Sequence, residues 1–371
     1  MKSFCSYYNQ GRCQSCGLIT FDYHSQLAQK QSLLKSQLEK FSPAVSLPPV
    51  ASKEKSFRNK AKLVVTGDLE NPVLGLIDRE ILDCPVHHPK INELLNKLVE
   101  FIKLAKLSPY QIQTQKGELK GVIVFVSEET QEMYLRFVLR SQESITRIQK
   151  FLPELGNIEV VSANIQPIPH AILEGPTEVF LTEKHFLSIK LGKIEFKIHP
   201  QGFVQTNQTV AKKLYETASE WVKELNTITF CELFSGQGAF SFFCADSVQK
   251  AYGVEINEQA VKRANQTVAE KKLTNLEFIA SDVALVEHFL EELSPDLILV
   301  NPPRRGLGSA IDLFEKHRPK YIIYSSCNSQ TLAQDLEKLS LHYSVDRYQI
   351  FDMFPHTEHF ETLLLLIKKE Y

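Results

Sequence analysis

Hydrophobic positions in the first half of the chain alternate with polar ones, as they do in strands that are covered on one face. Six segments follow this alternation or are rich in β-branched residues. They predict strands over residues 61–66, 122–126, 134–139, 160–165, 178–181 and 194–198. Helical periodicity separates these segments at residues 91–105 and 145–151. We therefore expect a β-rich, mixed α+β domain over residues 55–200, preceded by an N-terminal segment of residues 1–54.

The pattern changes at Thr206. Asn207 is a suitable N-cap for an amphipathic helix that runs to about Lys223, and apolar strands then alternate with helices to the last residues. Such alternation is typical of α/β domains with a largely parallel sheet. We expect residues 201–371 to form an α/β domain.

The composition is that of an ordinary globular protein. Of 371 residues, 43% are hydrophobic and 23% are charged, which excludes disordered, collagen-like and coiled-coil proteins. The longest apolar runs are far shorter than the roughly 18 residues of a membrane-spanning helix, and the N-terminus lacks the apolar stretch of a signal peptide. We expect a cytoplasmic protein that does not contact a membrane.

The net charge of −2 is unevenly distributed along the chain. Residues 1–199 contain 25 Lys and Arg against 21 Asp and Glu, and the remainder contains 17 against 23. One short stretch accounts for the positive excess: Lys53, Lys55, Arg58, Lys60 and Lys62. This basic stretch either neutralises phosphates of a nucleic acid or forms a solvated loop face.

Four of the seven cysteines lie in the first quarter of the chain: Cys5, Cys13, Cys16 and Cys84. In a chain without a secretory signal, a C-x-x-C step with two further cysteines indicates a metal or iron–sulfur site more than a disulfide framework. Four thiolates suit Zn²⁺ and a [4Fe–4S] cluster equally on spacing alone. The alternative, four unrelated buried cysteines, is disfavoured because Gly11, Gly17 and Pro85 place these thiols in loops.

A strand ending at Phe234 leads into a glycine turn with Gly236 and Gly238. Ligands of open α/β sheets bind outside the carboxyl ends of the strands, and glycines let the backbone approach them closely. Glu255 ends the next strand, where it would accept hydrogen bonds from ribose hydroxyls. Asp282, after the following strand, is placed to contact an adenine edge or else caps a helix. The turn lacks the third glycine of dinucleotide folds, so a mononucleoside cofactor is favoured over NAD.

Two residues in the second half carry candidate chemistry. Cys327 lies between a strand and a helix, and a helix N-terminus lowers the pKa of a thiol from its usual value of about 8.5. We therefore predict a nucleophilic thiolate there. Glu361, at the start of the last strand, is a candidate general base. A metal site of His356, His359 and Glu361 is the alternative interpretation of that segment.

Motifs spread over the second half resemble those of the RNA uracil-5-methyltransferase family. They are Gln205-Thr-Asn207, Phe234-x-Gly236-x-Gly238, Glu255, Asn301-Pro-Pro-Arg-Arg-Gly, Ser326-Cys327-Asn328 and Asp352-Met-Phe-Pro-His-Thr-x-His-x-Glu361. The resemblance implies a class I, Rossmann-like domain that uses S-adenosyl-L-methionine. It implies that Cys327 is the nucleophile and Glu361 the general base. It also implies four cofactor-binding residues: Gln205, Phe234, Glu255 and Asn301.

The N-terminal cysteines match the ligands of this family's [4Fe–4S] cluster, so the resemblance favours iron over zinc at Cys5, Cys13, Cys16 and Cys84. Because the chain begins almost at the first of them, we expect no TRAM RNA-binding domain. The tRNA enzyme of the family lacks these cysteines, which argues against tRNA as the substrate.

Within the family, the chain is most similar to the enzymes of 23S rRNA, as Asn301 in place of a more usual Asp indicates. The resemblance implies methylation of uridine 747 to 5-methyluridine through a covalent adduct between Cys327 and C6. The alternatives are another rRNA or tRNA uridine, or a non-catalytic iron–sulfur protein that binds RNA. We expect a monomer without a protein partner. Candidate RNA contacts are Phe57, Arg58, Lys60, Phe203, Arg304 and Arg305.

Overall fold

Two β-sheets organise the protein, one in each part of the chain that the hydrophobic pattern distinguishes. The computed structural model describes residues 3–77, 79–168 and 174–370. Within these residues, a sheet of seven strands forms the central domain and a sheet of eight strands forms most of the C-terminal domain.

The N-terminal segment contains two helices, α1 (Ser6–Asn9) and α2 (Tyr23–Leu38), and the two-residue strand β1 (Val45–Ser46). Helix α2 begins where the Asp22 carboxylate accepts a hydrogen bond from the backbone N–H of Ser25 at 2.9 Å. One side of α2 is buried at every fourth residue: Gln26, Lys30, Leu34 and Leu38. The two leucines belong to a core of the C-terminal domain, so α2 packs against that domain.

The central sheet contains five of the six strands predicted between residues 55 and 200 and adds short ones, while the sixth, residues 194–198, forms part of a separate hairpin. Its strands are β2 (Lys60–Gly67), β3 (Pro72–Leu76), β4 (Arg79–Glu80), β5 (Leu119–Val126), β6 (Met133–Leu139), β7 (Val160–Ile165) and β8 (Thr177–Phe180). Their order is β4-β3-β2-β5-β6-β7-β8. Helix α3 (Pro89–Leu104) covers one face with its apolar side. Helix α4 (Ile145–Phe151) lies in the crossover between β6 and β7, which pair in parallel.

A hairpin of β9 (Leu187–Leu191) and β10 (Ile194–Ile198) lies between the two domains. Its apolar residues share one core with the uncovered face of the central sheet and with helices of the C-terminal domain. Ile123 and Tyr134 contribute from the central sheet, and Trp221 and Phe242 contribute from the other side. The domains are therefore joined by a continuous hydrophobic interior, whose burial favours a fixed arrangement.

The C-terminal domain confirms the predicted alternation of strands and helices. Its strands are β11 (Thr229–Leu233), β12 (Lys250–Glu255), β13 (Leu276–Ala280), β14 (Leu297–Val300), β15 (Tyr321–Ser326), β16 (Tyr343–Phe351) and β17 (Glu361–Lys368). Its helices are α5 (Gln208–Glu224), α6 (Ala239–Cys244), α7 (Glu258–Lys271), α8 (Glu287–Leu293), α9 (Ile311–His317) and α10 (Ser329–Leu339). Asn207 caps α5 as predicted, with its side chain accepting from the N–H of Val210.

The strand order β1-β16-β17-β15-β14-β11-β12-β13 decides where a site forms. The five strands from β15 to β13 pair in parallel, so their carboxyl ends meet at one edge. Strand β17 is antiparallel to β15, with Ser326 opposite Thr362. This reversal brings Glu361, at the start of β17, to the edge where β15 ends beside Cys327. The order also reverses between β14 and β11, where ligands of α/β sheets bind.

The N-terminal segment is tied to the C-terminal sheet at several points. β1 pairs in parallel with β16, with Val45 opposite Arg347. Lys30 of α2 forms a buried ion pair with Asp352 at 2.6 Å, and the Tyr23 hydroxyl donates to the other oxygen of Asp352 at 2.8 Å. Both Lys30 and Asp352 are almost inaccessible to solvent. None of the described helices combines the length and apolar character needed to cross a membrane.

Candidate active site

The glycine turn after β11 has an unusual backbone. Phe234 has a φ of 62°, a left-handed conformation that is uncommon for an aromatic residue. Gly238 has a φ of 79°, and a Cβ there would lie 2.2 Å from the ring of Phe278. Glycine is therefore required at Gly238 by both conformation and space. Uncommon backbone conformations of this kind are frequent at functional sites, where the surrounding structure maintains them.

Glu255 and Asp282 lie beside this turn, as predicted from the sequence. The two carboxylate oxygens of Glu255 accept hydrogen bonds from the backbone N–H groups of Gly236 and Asn257, each at 2.9 Å. Each oxygen keeps a further acceptor site for a ligand. Asp282 accepts from the N–H of Ala284 at 3.0 Å, so it caps a short 3-10 helix and also faces the cavity described next.

A cavity of about 580 Å³ opens at this edge of the sheet. Its volume is in the range of small-molecule and cofactor sites. All the catalytic and cofactor residues predicted from the sequence line it: Gln205, Phe234, Glu255, Asn301, Cys327 and Glu361. Three of the predicted RNA contacts line it as well: Phe203, Arg304 and Arg305. Phe203 is 68% exposed, which suits a ring that stacks on an unpaired base.

Cys327 lies between β15 and α10 and is partly buried in this cavity. The prediction that the helix N-terminus favours its thiolate is wrong. Burial raises the pKa of the Cys327 thiol, and the charge of Glu361 raises it further. The positive charge of Arg304 acts in the opposite direction without reversing the shift. In the free enzyme, the thiol is therefore harder to ionise than an ordinary cysteine.

Glu361 is 3% exposed, and one of its carboxyl oxygens, Oε2, has no hydrogen-bond partner among the described residues. Burial raises the pKa of Glu361 to about 8, although a hydrogen bond from Gln205 and the charge of Arg304 oppose this. A carboxyl that lines a cavity and has a pKa near neutrality is suited to proton transfer. Gln205, predicted for the cofactor or the base, thus also contacts the general-base candidate.

Glu232 is a cavity residue that the sequence interpretation missed. It is 1% exposed in the middle of β11, and its carboxylate accepts hydrogen bonds from the backbone N–H and the hydroxyl of Ser241. Burial raises the pKa of Glu232 to about 8. A charged residue within an apolar strand, four positions before the first glycine of the turn, is the signal that could have revealed it. The cavity wall is accordingly rich in carboxyl groups.

The basic stretch at residues 53–62 does not form one exposed basic surface. Arg58 lies against Cys16 and Cys84, and its side chain donates to the backbone carbonyl of Lys60 at 3.0 Å. Lys60 is buried, and burial lowers its pKa to about 8. Lys62 pairs with Glu174. Lys53 and Lys55 are exposed, so only part of the stretch is available to phosphates as placed.

Phe57 is also turned inward. It is 6% exposed and its ring lies 6.5 Å from that of His356. Its predicted role as a stacking surface for RNA bases is therefore wrong. Both ring nitrogens of His356 are engaged, one with the Gln26 amide at 3.2 Å and one with the Glu54 carbonyl at 2.7 Å. The alternative metal site of His356, His359 and Glu361 is wrong as well, since His356 has no free nitrogen for a metal.

The four N-terminal cysteines line a second cavity, of about 260 Å³, which we call the cysteine cavity. Cys5, Cys13 and Cys16 reach it from the loop around α1, and Cys84 reaches it from the loop after β4. All four are free thiols. Burial, followed by the neighbouring cysteines, raises the pKa of Cys16 to about 12. The donor set therefore suits a metal centre that binds thiolates.

The thiols are not drawn together around a common point, however. Across residues 3–77, 79–168 and 174–370, no group of three or more His, Cys, Asp and Glu side chains is arranged to hold a metal ion. The structure thus brings all four predicted ligands to one cavity.

Comparison with known proteins gives one match to the C-terminal half of the chain and others to nearly all of it. The sequence model of the tRNA (uracil-5-)-methyltransferase family matches residues 177–369, which include every predicted catalytic and cofactor residue. The chain belongs to this family of RNA uracil-C5 methyltransferases. It is therefore an enzyme that uses S-adenosyl-L-methionine, as its motifs predicted.

Relatives extend the match to the entire length of this methyltransferase. The 23S rRNA (uracil(747)-C(5))-methyltransferase RlmC of Proteus mirabilis is 42% identical over 99% of both chains. RlmC of Escherichia coli O139:H28 is 41% identical over 98% of this chain and all of its own. Among solved structures, the tRNA (uracil-54, C5)-methyltransferase of Pyrococcus abyssi, in complex with S-adenosyl-L-homocysteine, is 26% identical with a TM-score of 0.80. That match covers 95% of this chain and 86% of the other.

Proposed function

We propose that this protein methylates C5 of uridine 747 in 23S rRNA. The proposal is carried by one observation: relatives named for this reaction match 42% of positions over 99% of the chain, including the N-terminal segment as well as the catalytic domain. An enzyme of ribosomal RNA works where ribosomes are assembled, so we also propose a cytoplasmic location.

A tRNA uridine is the second candidate substrate. It is favoured by the structural similarity to the Pyrococcus abyssi enzyme, a tRNA (uracil-54, C5)-methyltransferase. That similarity comes with 26% identity, well below the 42% of the 23S rRNA enzymes. We therefore rank 23S rRNA first.

The chemistry begins at Cys327. Uracil C5 is too weak a nucleophile to attack a methyl donor directly. In the proposed reaction the thiol loses its proton, and the thiolate adds to C6 of the uracil ring to form an S–C6 bond. The ring electrons then form an enolate, which raises the electron density at C5. The target base must leave its stack to reach a cavity of this depth, at a cost of a few kcal/mol.

S-adenosyl-L-methionine supplies a methyl cation equivalent when it is bound. Phe234 would hold its amino-acid part through the backbone of the glycine turn, and Glu255 would accept from the ribose hydroxyls. Gln205 and Asn301 would separate the cofactor from the base. The acidic side chains of Glu255 and Asp282, which line the cavity, suit a ligand with a positive sulfonium.

Glu361 completes the reaction. After C5 has accepted the methyl group, it still carries its proton, and the ring is still bonded to Cys327. The Glu361 carboxylate removes that proton, the C5–C6 double bond re-forms, and the S–C6 bond breaks to release the thiolate. The arrangement supports this role because β17 places Glu361 on the same sheet edge as Cys327, and its Oε2 lacks another partner.

We further propose that Cys5, Cys13, Cys16 and Cys84 hold a [4Fe–4S] cluster. Support comes from their common cavity, from their free thiols and from the partly buried Arg58, whose positive charge acts on Cys16 and Cys84 and suits a centre of negative charge. When bound, the cluster would supply structural cohesion between the N-terminal loop and the central domain. No step of methyl transfer requires electron transfer.

The decisive experiment maps 5-methyluridine by mass spectrometry in rRNA and tRNA from a strain that lacks the protein. We expect the modification at uridine 747 of 23S rRNA to disappear, and to return when the gene is supplied on a plasmid. The complementary assay offers the purified protein equal amounts of a 23S rRNA fragment and a tRNA transcript with labelled cofactor. Loss of a tRNA modification, with uridine 747 still methylated, would replace the rRNA proposal by the tRNA one.

A further inference from the structure

The loop after β14 fixes Arg304 next to the nucleophile. The backbone carbonyl of Arg304 accepts hydrogen bonds from the Asn328 side chain at 3.1 Å and from the Thr331 hydroxyl at 3.2 Å. Asn328 follows Cys327 directly, and Thr331 lies in the first turn of α10. The backbone of Arg304 is therefore tied to the helix that begins at the reactive cysteine.

The remainder of this loop is rigid. Asp335 of α10 accepts hydrogen bonds from the N–H of Leu307 at 2.9 Å and from the hydroxyl of Tyr324 at 2.6 Å. Gly306 has a φ of 80°, and a Cβ there would lie 2.6 Å from the Asp335 carboxylate. The loop starts with two prolines after Asn301, and these restrict its backbone further. Arg304 thus has little freedom to move away from Cys327.

The side chain of Arg304 connects the two catalytic segments. Arg304 and Cys327 line the same cavity, and the positive charge of the guanidinium lowers the pKa of the Cys327 thiol. Its Nη2 lies 3.3 Å from Nδ1 of His359, two residues before Glu361. Burial and the charge of Arg304 lower the pKa of His359, so the imidazole is neutral at pH 7 and Nδ1 accepts the hydrogen bond.

We propose that Arg304 is a third catalytic residue, which stabilises the Cys327 thiolate before attack and after release, and that His359 is a positioning residue that holds the guanidinium. This inference rests on the proposed role of Cys327. The proton of the thiol leaves to solvent, and the sulfur lone pair then forms the S–C6 bond. When Glu361 takes the C5 proton, that electron pair returns to sulfur beside Arg304. A positive charge is needed beside the sulfur of Cys327 because burial and the charge of Glu361 both disfavour its thiolate form.

The test measures alkylation of Cys327 by iodoacetamide as a function of pH, in the absence of RNA, by peptide mass spectrometry. Arg304→Gln should shift the profile to higher pH and slow alkylation at pH 7 by about tenfold, the effect of removing one nearby opposite charge. Arg318→Gln is the matched control, because it removes the same charge from an exposed position that does not line this cavity. We expect its profile to follow the unaltered enzyme.

His359 is tested with two variants. His359→Phe removes the nitrogen that holds Arg304 and should move the alkylation profile part of the way toward that of Arg304→Gln. His359→Gln retains a side-chain acceptor and should restore the original profile. A purely structural role for His359 would leave the alkylation profiles unchanged while lowering the unfolding temperature, and that result would overturn the positioning role.

A second measurement separates this inference from the proposed function. RNA with 5-fluorouridine at the target position lacks the proton that Glu361 must remove, so the unaltered enzyme should accumulate a covalent adduct at Cys327. If no adduct forms, the proposed function fails. If the adduct forms while Arg304→Gln gives the same alkylation profile as the unaltered enzyme, only the role of Arg304 is refuted.

Discussion

The catalytic cavity and the cysteine cavity both place an arginine near a thiol, but they differ in the number of thiols and in the groups that surround them. In the catalytic cavity, one partly buried thiol, Cys327, faces the carboxyl of Glu361, and Arg304 stands at the exposed rim. In the cysteine cavity, four thiols line one space, and the partly buried Arg58 lies among them.

The difference follows from how each set of residues is supported. Cys327 lies at the end of a parallel strand, where its neighbours are fixed by the hydrogen bonds of the sheet. The four thiols lie on loops from two distant parts of the chain. A strand end is suited to a reactive atom that must meet a partner in a single geometry. Loops from separate segments are suited to being joined by a ligand that bonds to all of them.

The largest expected effect is the loss of the reactive thiol. Cys327→Ala should reduce methyl transfer by a factor on the order of 10⁴, as removal of a nucleophile does in other covalent enzymes. Transfer of label from the cofactor to a 23S rRNA fragment measures this. Cys244→Ala is the control, since Cys244 is fully buried in the core away from the cavity. Turnover retained by Cys327→Ala would refute covalent catalysis at this position.

Loss of the base should stop the same reaction one step later. With Glu361→Gln, methylation of the ring proceeds but the C5 proton stays, so free product should form about 10² to 10⁴ times more slowly. The enzyme–RNA adduct should then accumulate and survive denaturing electrophoresis. Normal release of methylated RNA would show that another group removes the proton.

The pH dependence tests the electrostatics of the catalytic cavity. Because the pKa of Glu361 is raised to about 8, the carboxyl is largely protonated at neutral pH and becomes a base only as the pH rises. The raised pKa of Cys327 acts in the same direction. Single-turnover rates should therefore increase by up to about tenfold per pH unit on the acidic side of these values. A rate that is constant or falls over this range would contradict the assigned shifts.

The smallest expected effect on catalysis comes from the cysteine cavity. Cys16→Ser should remove iron from protein purified without oxygen and lower its unfolding temperature. It should change methyl transfer by less than about tenfold, because distant sites usually act independently. Metal analysis and calorimetry measure the first two effects, again with Cys244→Ala as the control. Zinc in place of iron in the unaltered protein would exclude the cluster.

Most of the catalytic site could be predicted because its residues follow the strands of one parallel sheet. Carboxyl ends of parallel strands share one edge, so residues that follow β11, β12, β14 and β15 were expected together. The same logic located Glu361 once its strand was recognised. β1 could not be predicted, since its two residues, Val45 and Ser46, are exposed and show no periodicity. Its existence depends on β16, which lies far along the chain.

The errors concern properties that depend on tertiary neighbours. The pKa of Cys327 was assigned from its helix alone, whereas burial and Glu361 determine its direction. Arg58 and Lys60 were interpreted as surface charges, although the first lies against cysteines and the second is buried. Neither burial nor the contacts of these groups follow from local sequence, because both are set by chain segments that pack on them after folding.

The pairing of β1 with β16 has a consequence for biosynthesis. Residues 45–46 are translated about three hundred positions before β16, the strand with which they pair. β1 can therefore join the sheet only after most of the chain has been made. The loop with Cys5, Cys13 and Cys16 is translated even earlier. It also packs late, because His356, which contacts this segment, is near the end of the sequence. A nascent chain that has not yet reached residue 343 therefore lacks both the strand that pairs with β1 and the residue that contacts the cysteine-containing loop.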